Sequence, residues 1–274
     1  MTGDEVLSNE LVLRDLDGGV LTLTFNRPHR HNAWTGAMGA QYFDALTTAA
    51  ADTDVRAIVV TGAGRSFCPG LDSQDLEAVV ANNALARPTR PNTYALSIPK
   101  PIIAAINGGC AGLGFTHASC MDVRFAATGV KFAAAFARRG IPAEDSLSWI
   151  LPRLIGGSRA ADLLLSARIF TAEEAFAMGY VSRVVAPDDL LPTALAYARD
   201  IAEHVSPEAL ATTKMQIFDD WHRTQEESHH HAVAELMTVI RGGHDLDEGV
   251  RSLVEKRPPR FLGVSFVMPE AGAT

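Results

Sequence analysis

Three short apolar runs constrain this chain most. Residues 55–61 read VRAIVVT, residues 101–107 read PIIAAIN and residues 121–126 read MDVRFA. Continuous apolar blocks of this length, without alternation, are what a strand buried on both faces needs. Helical patterns separate them, and alternating buried strands and helices predict βα units on a mostly parallel sheet. A hairpin precedes them over residues 11–25, where LVLRDL and VLTLTF flank the turn signal Asp17-Gly18-Gly19. Thr35 can cap a helix running to about residue 51, with Met38, Phe43, Leu46 and Ala50 near helical spacing. Another helix is expected from about Asp75.

Strand signals stop near residue 187. Thr171-Ala-Glu-Glu174 forms a capping box. Helices are then predicted over roughly 187–204, 206–221, 224–241 and 245–255. The expected division is an α/β core over 1–186 and a helical C-terminal lid or assembly region over 187–274. Residues 84–92 (ALARPTRPN) hold two prolines and two arginines and read as a mobile surface loop. Residues 76–94 carry no motif with a legible role.

Composition narrows the function classes. The chain has 274 residues and a formal net charge of −8, which speaks against a nucleic-acid groove. Its three cysteines, Cys68, Cys110 and Cys120, suggest a reducing compartment without a disulfide framework. The polar, acidic opening resembles neither a signal nor a transit peptide, and no stretch nears the ~18 apolar residues of a membrane span. The expectation is a soluble, cytoplasmic protein with no membrane partner.

Two glycine-rich turns each follow a buried strand. The first is Gly62-Ala-Gly-Arg-Ser-Phe-Cys-Pro-Gly-Leu-Asp72, the second Asn107-Gly-Gly-Cys-Ala-Gly-Leu-Gly114. A helix is expected after Gly114, and its first N–H groups would lack internal partners. Two backbone donors converging on one oxygen make an oxyanion hole; equally, such turns simply pack strands against helices. Neither turn has the spacing of a dinucleotide or triphosphate loop. His229, His230 and His231 are adjacent on a helix and cannot face one metal. His231 and Glu235 are spaced to pair, and no metal is expected.

These segments resemble the enoyl-CoA hydratase/isomerase (crotonase) family. Gly64-Arg-Ser-Phe-Cys-Pro-Gly-Leu-Asp72 looks like its "AFCAGxDL" segment, and residues 103–114 with 121–126 look like "aaiNGxaxGgG…CDxriA". Asn26-Arg-Pro-His-Arg-His-Asn-Ala33 looks like "NRPxxxNA". Phe136-Ala-Arg-Arg-Gly140 and residues 149–156 (WILPRLIG) look like "RxGl…LPRlvG". Residues 170–175 and 254–261 match later landmarks, so the likeness spans about residues 10–262.

The resemblance implies a crotonase-like spiral of ββα turns with a helical C-terminal extension, assembled as trimers or paired as hexamers. It implies an acyl-CoA thioester as substrate, coenzyme A being part of that substrate rather than a separate cofactor. The backbone N–H groups of Cys68 and Leu113 would hold the thioester oxygen, leaving the Cys68 thiol incidental. His29, Arg30, His31, Ser66, Gly70 and Asp72 would contact the CoA moiety, and Lys256 and Arg257 would reach a CoA phosphate. The two glutamates of the family's hydratases fall on Thr116 and Phe136, so neither carboxylate is present. The acid used by family isomerases falls on Glu144, with Asp145 beside it; both also suit the first turn of the next helix. Isomerisation of an unsaturated acyl-CoA through a thioester enolate is therefore favoured over two-glutamate hydration. The alternative is a CoA-thioester-binding protein without catalysis. His117 is expected to pack inside its helix with its ring nitrogens satisfied.

Overall fold

The structure is a computed structural model that describes residues 10–82 and 88–269. The expected loop at 84–92 thus lies partly outside the described residues. In chain order the elements are β1 (Val12–Asp17), β2 (Val20–Phe25), α1 (Gly36–Ala51), β3 (Ala57–Gly62), β4 (Ser66–Cys68), α2 (Ser73–Asn82), β5 (Ile102–Ile106), β6 (Gly109–Ala111) and α3 (Leu113–Ser119). Then follow β7 (Val123–Ala127), β8 (Lys131–Ala133), α4 (Leu147–Ile155), α5 (Gly157–Ser166), β9 (Ile169–Thr171), α6 (Ala172–Ala177) and β10 (Arg183–Val185). The last α-helices among the described residues are α7 (Pro187–His204), α8 (Pro207–Asp219), α9 (Gln225–Gly242) and α10 (His244–Glu255).

The strands sort into two sheets. One has the order β1-β2-β3-β5-β7-β10, the other β4-β6-β8-β9. Pairs β3–β4, β5–β6 and β7–β8 each send their first strand to the larger sheet and their second to the smaller, and a helix follows. This is a ββα repeat. Pairing is parallel in both sheets except for β1–β2 and β8–β9. The β1–β2 turn uses Gly18 (φ 55°) and Gly19 (φ 80°), two successive left-handed residues of the kind that match the hairpin's twist.

β3 and β5 are buried at every position. Helix α7 lies across β2, β3, β5 and β7, and its buried face is Leu190, Ala194, Ala198 and Ala202. Three alanines there let helix and sheet approach closely. The first helix of the 187–274 region is therefore a core element. The Thr35 hydroxyl accepts from the Met38 N–H at 3.2 Å and caps α1, and Thr171 and Glu174 form the capping box of α6. Helix α2 begins at Ser73, two residues before the sequence expectation, because Asp72 accepts from the N–H groups of Gln74 and Leu76.

Candidate active site

Two asparagines, to which sequence reasoning gave no role, fasten the first glycine turn to its neighbours. Buried Asn32 accepts from the Arg27 N–H at 2.8 Å and donates to the carbonyls of Ala63 and Ser66 at 2.9 and 2.7 Å. Asn107 donates to the carbonyls of Gly62 and Gly64 at 2.8 and 3.0 Å and accepts from the Gly62 N–H at 3.2 Å. Both lie inside motifs visible in the sequence, so a signal existed; what each side chain bonds to was not readable there.

The two turns meet. Cys68 and Cys110 are partners across β4 and β6. A Cβ placed on Gly70 would lie 3.6 Å from the Leu113 nitrogen, and one on Gly114 would lie 2.0 Å from the Cys68 carbonyl oxygen. Gly112 (φ 50°, ψ −125°) turns the chain into α3. The first intrahelical bond runs from the Thr116 N–H to the Gly112 carbonyl at 3.0 Å. Leu113, at the first helical position, therefore precedes the internal ladder. Folding thus packs the two glycine turns side by side.

The Cys68 side chain is fully buried, and burial pushes its thiol pKa up to about 12. A thiol so held is a poor nucleophile. Cys110 and Cys120 are likewise buried free thiols.

Of the residues expected to touch CoA, several are occupied with one another. Asp72 is only 2% exposed and binds Arg30 at 2.8 Å and Arg27 at 3.1 Å. The Arg30 hydrogen bond, above all, holds the Asp72 carboxyl well below the usual carboxylate range. These ion pairs brace residues 27–30 against the loop after β4. His29 and His31 are exposed, and Ser66 is half-buried. Arg257, just past the end of α10, is bound by Glu248 at 2.6 and 2.9 Å and by Glu255 at 2.6 Å, so its charge is matched by the helix before it. Lys256 is exposed at the left-handed C-cap of α10. His231 and Glu235 pair at 3.6 Å.

Thr116 and Phe136 are both buried and neither is an acid. Glu144 and Asp145 are half-buried on the loop before α4. Burial first, and then the neighbouring Asp145, raise the Glu144 carboxyl. Burial also raises Asp145, opposed by a hydrogen bond from Asn92 Nδ2 at 3.0 Å. Neither acid lies in the first turn of α4. Asp145 (φ 53°) and Ser146 (φ 59°) are successive non-glycine left-handed residues, and Ser146 precedes the helix without a side-chain capping bond. Such conformations cost on the order of 1–3 kcal/mol each and persist where the surroundings over-determine them.

The comparisons decide the family. Residues 15–263 match the profile of the enoyl-CoA hydratase/isomerase family. The chain belongs to the enoyl-CoA hydratase/isomerase (crotonase) family. It is 36% identical over 247 residues to an enoyl-CoA hydratase of Alternaria alternata, covering 89% of this chain and 83% of that one. It is 32% identical over 267 residues to the 1,2-epoxyphenylacetyl-CoA isomerase of Escherichia coli, covering 93% and 99%. Among crystal structures, an enoyl-CoA hydratase from Bacillus anthracis superposes with a TM-score of 0.84 at 26% identity, covering 93% and 100%. One from Mycobacterium marinum is 47% identical with a TM-score of 0.68, covering 78% and 99%. The chain is thus a crotonase-fold enzyme of acyl-CoA chemistry.

Among the described residues, no helix is long and apolar enough to cross a membrane. The ring of His117 is buried as expected, but the expectation of satisfied nitrogens is overturned. Neither Nδ1 nor Nε2 finds a hydrogen-bond partner among the described residues, because Trp34, Tyr42 and Phe43 surround the ring.

Proposed function

We propose that this protein isomerises an unsaturated acyl-CoA through a thioester enolate, with Glu144 as the group that removes and returns the proton. The observation that carries this reading is the exchange of carboxylates. Thr116 and Phe136 offer none, whereas Glu144 is half-buried with its carboxyl raised toward the range useful for a general base. Negative charge develops on the thioester oxygen, and the Cys68 and Leu113 amides are its stabilisers, each about 2.7–3.1 Å from it in the complex. Fixed amides do this without reorganising. His29, His31, Ser66 and Gly70 contact the CoA moiety, with Arg30 and Asp72 holding the turn in shape and Lys256 and Arg257 near a phosphate. No separate cofactor is required, and the setting is cytoplasmic.

A panel of enoyl-CoAs incubated in deuterated buffer tests the reaction: label at the α or γ carbon is the expected result. Binding of the thioesters without any label would favour the non-catalytic CoA-binding alternative. A second measurement tests the amides. Cys68→Ala is expected to leave kcat within a few fold, because the thiol takes no part. Cys68→Pro, which deletes the N–H donor, is expected to abolish turnover.

Assembly belongs to the same proposal. Leu236, Ile240, Val250, Leu253 and Val254 are exposed apolar residues on α9 and α10, more than a lone surface would leave bare. Trimers, or trimers paired as hexamers, would cover them. Light scattering at micromolar concentration should read a trimer or hexamer mass; a strict monomer would remove the assembly claim.

A further inference from the structure

A set of buried polar groups behind the acid loop has no role in the chemistry above. His117 of α3 is 1% exposed, and its ring lies 3.9 Å, centroid to centroid, from that of Trp34. Burial pulls its pKa down to about 3, so the ring is neutral. A neutral imidazole still carries one N–H donor and one acceptor nitrogen. Leaving a buried polar group unpaired costs about 1–3 kcal/mol, so these atoms require an explanation. The Asn92 backbone acts on the ring as a weak hydrogen-bond partner that opposes this lowering, and it leaves both nitrogens unsatisfied. Asn92 is itself half satisfied. Its Nδ2 donates to Asp145 at 3.0 Å, while its buried Oδ1 has no partner among the described residues. The orphaned acceptor and the orphaned ring therefore belong to adjoining residues. The loop that carries the carboxylate, with left-handed Asp145 and Ser146, is one that needs holding.

We propose that Asn92 is a positioning residue that joins His117 to Asp145. The ring N–H reaches Asn92 Oδ1 through one buried water, and the Asn92 amide donates to the carboxylate. That chain of ring, amide and carboxylate fixes the loop at 141–146 from which Glu144 acts. The inference rests on the Glu144 reading for its catalytic consequence, but the chain of hydrogen bonds stands without it. Water is the bridge because it joins buried polar groups that do not bond one another directly. The titratable groups facing the chain are Glu144 on the same loop, Cys120 at the end of α3, which interacts with Asp145, and Tyr42 of α1 beside the ring. The Tyr42 hydroxyl is a further buried atom without a partner among the described residues.

Two spectroscopic measurements need no turnover. In ¹⁵N-histidine spectra of the wild-type protein, His117 should be a single neutral tautomer between about pH 5 and 9, with one N–H protected from exchange. A rapidly exchanging N–H or a mixture of tautomers would overturn the proposal. In ¹³C-carboxyl spectra, Asn92→Ala removes the bond that lowers Asp145, so Asp145 should titrate higher by roughly one pH unit. Asn92→Asp keeps the shape, deletes the donor and adds a charge, and should raise it further. It also serves if the alanine variant folds poorly.

His117→Phe keeps the stacked ring without nitrogens. It should shift Asp145 in the same direction and lower kcat on the order of tenfold with KM within about twofold, the pattern of a misplaced catalytic group. The double variant with Asn92→Ala should be no worse than Asn92→Ala alone. If His117→Phe leaves both Asp145 and kcat at wild-type values, the ring only packs and the proposal fails. It also fails if kcat falls together with Tm while Asp145 titrates unchanged. Absence of deuterium exchange in the wild-type enzyme would instead sink the Glu144 reading, and the two spectra would still decide the relay.

Discussion

Glu144→Gln is expected to lower kcat on the order of 10²–10⁴ with substrate binding nearly unchanged. The amide keeps the shape and the hydrogen-bonding capacity of the carboxyl but cannot accept a proton. Asp145→Asn, on the neighbouring residue, should cost much less. The pH dependence has a definite sign. Burial and the Asp145 charge raise the Glu144 carboxyl, and only its ionised form is a base. Turnover should therefore fall as pH drops through a pKa above the ordinary glutamate value, and this acid limb should vanish in Glu144→Gln. Wild-type turnover in the glutamine variant would end the isomerase mechanism.

Gly114→Ala is the second substitution with a large expected effect, and it acts through packing. The new Cβ would sit 2.0 Å from the Cys68 carbonyl oxygen and 2.8 Å from its carbonyl carbon. Both atoms are backbone, so no side chain can swing aside to relieve the clash. Strand β4 and helix α3 must separate. The cost should be about 3 kcal/mol, at the upper end of ordinary overpacking, and a Tm lower on the order of 10 °C. The same displacement moves the Cys68 and Leu113 amides apart, so turnover should be lost even in the fraction that remains folded. Gly36→Ala is the matched control. Its Cβ meets nothing within 4 Å, at the exposed first turn of α1, and a gain of about 0.5–1 kcal/mol is expected there. Equal melting temperatures for Gly114→Ala and wild type would show that the two glycine turns are not packed as described.

The separation of 42 residues between Arg30 and Asp72 shows where sequence reasoning stopped. Each residue falls in a recognisable segment, and each looked like a ligand contact on its own. Folding brings them within 2.8 Å, and each then neutralises the other. Arg257 follows the same course with Glu248, nine residues away. A charge read along the chain carries no record of its partner. Glu144 and Asp145 make the same point about backbone. In sequence they suit a helix's first turn, yet the left-handed Ser146 starts α4 only after both, which leaves them on a half-buried loop.

The sequence by itself determined the elements and their kind. Continuous apolar runs dictated buried strands, Asp17-Gly18-Gly19 the hairpin, and Thr35 and Thr171 the starts of helices, because each of these effects acts within a few residues. The ordered glycine motifs over most of the chain also carried the family resemblance. Tertiary structure alone decided the rest. It placed Gly114 against Cys68, set α7 on the sheet as a core element, committed Asp72 to two arginines, and left the nitrogens of His117 without a direct hydrogen-bond partner among the described residues. All four depend on which distant atoms come into contact and on how much water they keep. Both are properties of the packed molecule, and no local pattern of residues encodes them.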